Sequence, residues 1–204
     1  MPASCNCRTM VLNSAERLVE SNCGSPVVRR VPPGDTLPRW VCDECGEIHY
    51  QNPKLVVGTV PEHGGRLLLC RRAIEPRYGY WTLPAGFMEN GESVQQAAAR
   101  EAMEEALAHV QIGSLLAIVS VLRAHQVHIM FRARMQPDRP DFGIGAESLE
   151  TQLYAEEQIP WPEVAFLSVE FALRRYLADR RQGVEQLHLR TIDWRDGKLV
   201  TTDG

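Results

Sequence analysis

Apolar positions along this chain follow two different periods. In KLVVGTVPEHGGRLLLCRR (54–72), two apolar runs flank Gly64 and Gly65, which predicts a β-hairpin. QVHIMFRAR (126–134) places Val127, Ile129 and Phe131 on one face and His128, Met130 and Arg132 on the other, a strand with a period of two. Two segments carry the helical period. One starts at Ser93, where SVQQ ending at Gln96 fits a capping box. The other follows Ser168, with Val169, Ala172, Leu173, Tyr176 and Leu177 as its apolar stripe and Gly183 as its stop. The tail LHLRTIDWRDGKLVT alternates around Asp196 and Gly197 and reads as a closing hairpin. GAESLETQLYAEEQIPWPEVAF (145–166) reads as a loop-rich connection. The expected organisation is a tail over 1–17, with Met10 as an alternative start, then a small module rich in Cys, Pro and Gly over 18–50. The main domain is expected over 51–183 and the hairpin or tail over 184–204.

Composition narrows the function classes. The chain has 204 residues, enough for one core and a small appendage, with 44% hydrophobic and 24% charged residues. A net charge of −4 argues against a protein that coats nucleic acid. No run approaches the ~18 apolar residues of a membrane span, so no membrane partner is expected. The opening MPASCNCRTM lacks the apolar core of a signal peptide. Six cysteines without a leader point to metal or free thiols rather than disulfides, and the expected compartment is the cytoplasm.

Chemistry concentrates in GFMENGESVQQAAAREAMEEALA (86–108), which holds Glu92, Glu101, Glu104 and Glu105 with Arg100 among them. At about 100° per residue, Glu105 lies about 40° from Glu101 and Glu104 about 60° to its other side. Three carboxylates then project along one stripe. Like charges so placed cost a few tenths of a kcal/mol per pair, and a multivalent cation offsets that repulsion. Hard cations such as Mg²⁺ take oxygen ligands beside substrate phosphates. A solvated helix face is the plainer alternative for scattered charges. Arg100 sits one turn from Glu104, so a bond to Glu92 would pin the loop GFMENGE against the helix.

The spacing G-x5-E-x7-R-E-U-x-E-E (U apolar), filled by Gly86, Glu92, Arg100, Glu101, Glu104 and Glu105, resembles the signature of the Nudix hydrolases. The resemblance implies an α/β fold, an α/β/α sandwich with a mixed sheet, whose loop–helix–loop binds Mg²⁺ or Mn²⁺. It implies hydrolysis of a diphosphate joined to a nucleoside. The implied metal ligands are Glu101, Glu104, Glu105 and the carbonyl of Ala85. One departure is Leu107, where the family has glycine, so the helix is expected to exit differently, near His109. A further carboxylate from GAESLET is implied, with Glu147 and Glu150 as competing ligands or general bases and Glu147 preferred. For the substrate anion, CRRAIEPRYGYW offers Arg71, Arg72 and Arg77, of which Arg72 or Arg77 is expected at the diphosphate. Tyr80 and Trp81 offer an aromatic face to a base, although Trp81 fits a core equally well.

Cys23, Cys42 and Cys45 fit a zinc ribbon with an 18-residue spacer, but Glu20 stands where the first cysteine belongs. Zn²⁺ is expected on Cys23, Cys42, Cys45 and Glu20, with Cys5 or Cys7 as alternative fourth ligands and a metal-free ribbon as the other reading. Cys70 reads as a core thiol. Over about residues 19–183 the chain resembles a zinc-ribbon Nudix subgroup related to plant enzymes acting on FAD and ADP-ribose. The S-Q-P-W-P-F-P-x-S motif of the NADH pyrophosphatases is not found. Three arginines against five acidic residues give the module a charge of −2, unlike a nucleic-acid-binding ribbon. The expected function is metal-dependent hydrolysis of FAD, ADP-ribose or a similar compound to AMP and a phosphorylated product, by a homodimer. The alternatives are a non-catalytic nucleotide sensor, or an NADH or NAD-capped RNA pyrophosphatase.

Overall fold

A computed structural model describes residues 26–136 and 141–204. The expectations for the tail over 1–17, for Met10 and for Cys5, Cys7, Glu20 and Cys23 lie outside the described residues. The chain divides into two compact units, Met1–Asn52 and Pro53–Gly204.

The first unit holds a three-stranded antiparallel sheet of β1 (Val27–Arg30), β2 (Arg39–Cys42) and β3 (Ile48–His49). Asp35 shapes the β1–β2 turn, accepting from the Thr36 and Leu37 amides and from Arg39 Nε at 2.8 Å. Cys42 and Cys45 straddle the turn into β3, which closes with the Gly46 N–H on the Cys42 carbonyl at 3.0 Å. Gly46 takes φ 73°, a left-handed value that glycine adopts without strain.

The second unit is built on one mixed sheet. Its strands are β4 (Lys54–His63), β5 (Arg66–Arg72), β6 (Trp81–Thr82), β7 (Ala85–Phe87), β8 (Val110–Val121), β9 (Gln126–Met135), β10 (Ser148–Tyr154), β11 (His188–Arg195) and β12 (Lys198–Asp203). The order is β10-β5-β4-β9-β8-β11-β12, parallel at β4–β9 and β8–β11 and antiparallel elsewhere. Gly64 and Gly65 turn β4 into β5 with φ of 57° and 79°, the two positive values a type I′ hairpin needs. Beyond Glu62–Leu67 the two strands part, and β7 pairs with β4 while β6 pairs with β5.

Two helices cover the sheet, α1 (Val94–Ala106) and α2 (Leu167–Gln182). The apolar run of β5 explains why they lie on opposite faces. Leu67 and Leu69 pack in one core with Val169, Ala172, Leu173 and Leu177 of α2, whereas Leu68 and Cys70 pack in another with Ala106 and Ala108 at the end of α1. Successive side chains of a strand point to opposite faces, so a strand buried on both must be continuously apolar. The result is an α/β/α sandwich. Arg132 is buried on the α2 side, where it donates to Asp179, to Ser114 Oγ and to the carbonyls of Leu115 and Gln186.

Three sequence expectations are corrected. The connection over 145–166 contains β10, an edge strand on β5, because the register shift between Ser148 and Glu150 and the exposed Leu149 break the alternation of a half-buried strand. The closing hairpin forms around Asp196 and Gly197 as expected, and only its reading as a separate tail is corrected, since β11 joins the sheet through β8. Leu107 does not carry the helix on towards His109. It takes φ 49°, ψ 28°, the left-handed cap that glycine would favour; its N–H donates to the Met103 carbonyl at 2.9 Å, and the following Ala108 N–H donates to the Ala102 carbonyl at 3.1 Å. A leucine there costs about 1–2 kcal/mol. Its side chain lies over Gly143, which recovers part of that cost.

Two outcomes follow from this packing. Leu107→Gly should raise stability by roughly 0.5–1 kcal/mol, read as a higher urea midpoint with no change in slope; a lower midpoint would show that contact with Gly143 outweighs backbone strain. His128, half-buried in β9, has its pKa lowered to about 4 by burial. The unfolded chain, titrating at the ordinary 6.5, binds the proton more readily than the folded one between those values. Stability from this group is therefore complete above about 6.5 and is lost as pH falls towards 4. His128→Gln should lose less stability than the parent between those pH values, by roughly 1–2 kcal/mol in denaturant titrations.

Candidate functional site

Helix α1 begins at a reciprocal cap, with the Gln96 N–H on Ser93 Oγ at 3.3 Å and the Ser93 N–H on Gln96 Oε1 at 2.8 Å. This start fixes the phase of the helix. Ala97, Ala98, Ala102 and Ala106 face the sheet, and their small side chains allow close approach. Glu101 and Glu105 share that buried face, only 7% and 6% exposed. The stripe expected from the sequence is therefore split, because the Glu104 side chain is 58% exposed.

Strand β7 lies against these carboxylates. A Cβ on Gly86 would sit 2.4 Å from both carboxylate oxygens of Glu101, so any side chain there would displace that carboxylate. The Ala85 N–H donates to Glu105 Oε2 at 3.0 Å. Burial pushes Glu105 up to about 8; the charges of Glu101 and Glu147 add to this, while the Ala85 N–H and the charge of Arg72 oppose it. Burial also raises Glu101, against the pull of Arg100.

Arg100 organises the polar side. Its Nε and Nη2 grip Glu92 at 3.0 and 2.8 Å, a two-pronged bond that suits the planar guanidinium. Its Nη1 donates to Glu101 at 2.7 Å and Glu104 at 2.9 Å, and Nη2 reaches the Phe87 carbonyl at 3.1 Å. Glu92 also accepts the Glu89 N–H at 2.7 Å, and with Arg100 beside it its pKa falls to about 2. The loop before α1 is thus pinned to the helix.

The two candidate loop carboxylates part company. Glu147 is exposed, and its charge acts on both Glu101 and Glu105. Glu150 shares a strand face with Tyr154, whose ring packs edge-on to Trp81 at 5.1 Å in the α2-side core. Glu150 instead faces Arg71, at 3.7 Å. Of the expected substrate residues, Arg72 lies over the Phe166 ring at 5.1 Å and is close enough in charge to lower Glu105. Arg77 stacks on Tyr80 at 5.3 Å in the loop after β5. Trp81 is core, and the buried Cys70 thiol is pushed up by burial and by Glu105. Sequence reading missed Gly145 and Ser148, which hold the Glu147 loop, because neither belongs to a periodic pattern or a spaced motif.

Among the described residues, no three His, Cys, Asp or Glu side chains already converge on one ion. Glu101 and Glu104 both rest on Arg100 instead. The donor set nevertheless fits a hard cation. It is entirely oxygen, and Glu105 is a buried carboxylate whose hydrogen bond comes from a neutral N–H. A cavity of about 480 Å³ lies elsewhere, beside Arg132 and Asp179.

Comparison with known proteins gives concordant results. The NUDIX domain family matches residues 53–174, more than half of the chain, and the Nudix N-terminal zinc-ribbon family matches 21–51. An "ADP-ribose pyrophosphatase" of Methanocaldococcus jannaschii is 35% identical over 86 residues, 40% of this chain and 51% of that protein. An "NAD-capped RNA hydrolase NudC" of Stutzerimonas stutzeri is 39% identical over 88 residues, 41% of this chain and 29% of that one. The matched segments thus span about half of the first relative and under a third of the second. Among solved structures, a NUDIX hydrolase from Nitrosomonas europaea superposes with a TM-score of 0.79 at 49% identity, covering 82% of this chain and 94% of that one. Among the described residues, no helix is long and apolar enough to cross a membrane. With its box assembled against β7 and these matches over both units, the chain belongs to the Nudix hydrolase family.

Proposed function

We propose that the protein hydrolyses the diphosphate joining a nucleoside to a second group, in compounds such as ADP-ribose or FAD, yielding AMP and a phosphorylated product. The observation that carries this reading is the buried pair Glu101 and Glu105, held against β7 by Gly86 and Ala85. Pure nucleotide binding needs no such costly burial of two carboxyl groups.

Glu101, Glu104, Glu105 and the Ala85 carbonyl would hold Mg²⁺ or Mn²⁺. Such an ion neutralises phosphate oxygens and lowers the pKa of a bound water. Glu147 is exposed beside these carboxylates and takes the proton of the attacking water, while Glu150 is engaged with Arg71. As water adds to one phosphorus, the bridging P–O bond breaks and the second phosphate leaves with its electrons. Arg72 offers charge to the diphosphate, and Arg77 stacked on Tyr80 offers a cationic, aromatic surface to the rest of the nucleotide. Arg100 does not touch substrate in this scheme; it sets the position of Glu101 and of the loop. The proposal extends to Zn²⁺ on Cys42 and Cys45 with Cys23 and Glu20, to a homodimer and to a cytoplasmic location.

A second reading, action on NADH or NAD-capped RNA, draws support from the likeness to NudC. Residues 26–50 carry Arg29, Arg30 and Arg39 against Asp35, Asp43, Glu44 and Glu47, which gives RNA little to bind.

Products should be resolved for FAD, ADP-ribose, NADH and NAD-capped RNA with Mg²⁺ or Mn²⁺. We expect AMP from ADP-ribose or FAD, abolished by chelation, and a loss of at least about a hundredfold in Glu105→Gln. Turnover of capped RNA with steep salt dependence would favour the second reading. Binding without turnover would make the protein a sensor and sink the proposal. Arg100→Ala should lower kcat more than about tenfold and stability by roughly 1–3 kcal/mol. Arg100→Lys should recover little of either, because an ammonium cannot reproduce the fork on Glu92.

A further inference from the structure

The carbonyls of the last turn of a helix lack partners within it. At the end of α1 they are taken by one loop. The Glu105 carbonyl accepts both the Gly145 N–H at 3.2 Å and Ser148 Oγ–H at 2.7 Å, and the Ala106 carbonyl accepts the Gly143 N–H at 2.7 Å. The fit is close enough to dictate sequence. A Cβ on Gly145 would lie 1.8 Å from the Glu104 carbonyl oxygen and 2.7 Å from the Glu105 carbonyl carbon, both rigid backbone. The Ser148 N–H returns to the Gly145 carbonyl at 3.1 Å, closing a turn with Ala146 and Glu147 at its centre. The far side of the turn is tied as well, since the Ala73 N–H donates to the Glu147 carbonyl at 2.8 Å. That amide follows Arg72 at the end of β5.

We propose that Gly145 and Ser148 are positioning residues for Glu147: they lock its turn onto the end of α1, so that its carboxylate stays beside Glu101 and Glu105. Glu105 is central to the arrangement. Its side chain faces β7, and its own carbonyl is the anchor for the loop that brings Glu147. Carboxylates from two distant stretches of sequence are therefore referenced to one residue. Ser148 is 7% exposed, so water does not compete for its hydroxyl. The inference rests on the reading above, in which Glu147 takes the proton of water.

A double-mutant cycle on the full chain tests it, using the substrate that turns over best. Ser148→Ala should cost roughly tenfold in kcat with KM unchanged, since small misplacements of a reacting group carry such penalties. Ser148→Thr, which keeps the hydroxyl, should retain most activity, and Gly145→Ala should lose at least as much as Ser148→Ala. In a Glu147→Gln background the same changes should alter kcat by less than about twofold, because there is no base left to misplace. Equal losses in both backgrounds, or a loss carried by KM, would overturn the proposal and leave the hydrolase reading intact. A parent inert towards every substrate would sink the hydrolase reading, and the positioning role with it. Full activity in Glu147→Gln would remove Glu147 as the base and equally end the proposal. If Ser148→Ala does not fold, Ser148→Cys, which keeps the side chain's size and weakens its hydrogen bond, carries the same cycle.

Discussion

The structure depends on keeping two carboxylates, Glu101 and Glu105, in a helix–sheet interface that would ordinarily be apolar. Burying an ionised group is costly unless it finds partners. The surroundings read as answers to that cost. Ala85 gives Glu105 an N–H, Arg100 gives Glu101 a charge, and Gly86 removes the atom that would collide with it. The alanines of α1 let helix and sheet approach closely enough for these contacts. Arg100 can serve Glu101 only because Glu92 holds its other edge, and Glu92 is placed by the loop that the same arginine pins. The acidic helix is therefore one mutually dependent assembly rather than a set of separate ligands.

The sheet prepares the place for that assembly. If β4 and β5 paired along their whole length, β7 could not lie along β4 beneath α1. Their separation beyond the turn leaves edges that β6 and β7 fill, and these short strands deliver Ala85 and Gly86 to the helix. On the outer side of β5, β10 performs a similar service. Its irregular register between Ser148 and Glu150 turns Ser148 towards α1 while Glu150 joins Arg71 on the other side. One extra residue in a strand re-aims the side chains that follow it. Here that shift separates two nearby glutamates: Glu150 faces Arg71, and Glu147 stays in the turn that Gly145 and Ser148 hold to the end of α1.

Legibility in the sequence followed locality. The hairpin turn at Gly64 and Gly65, the cap at Ser93, the stop at Gly183 and the fork between Glu92 and Arg100 involve residues within a few turns of each other, and spacing alone suggests them. The box residues were legible for the same reason. Whether Glu104 is buried was not, because helical phase relative to the sheet depends on strands elsewhere in the chain. Strand β10 was hidden because its register shift between Ser148 and Glu150 breaks the period of two and leaves Leu149 exposed. Leu107 misled because a missing glycine suggests a different exit, whereas the loop seated on the last carbonyls enforces the left-handed turn regardless. The Ser148 contact joins residues 43 positions apart, and nothing local announces it.

The cavity of about 480 Å³ beside Arg132 sharpens the case for the glutamate helix by contrast. It has charged walls, including Glu62, Arg134 and Glu185, and two buried ionic groups at its base. Yet Arg132 already spends its guanidinium on Asp179, Ser114 and two carbonyls, and Asp179 also meets His188 and the Gln186 N–H. Those groups are satisfied; they tie α2 to β8 and to the segment leading into β11. The glutamate site is the reverse, a buried carboxylate with one neutral donor and exposed acids around it. An ion pair that closes on itself stabilises a fold, whereas charge left incompletely matched is what a cation and a diphosphate can complete.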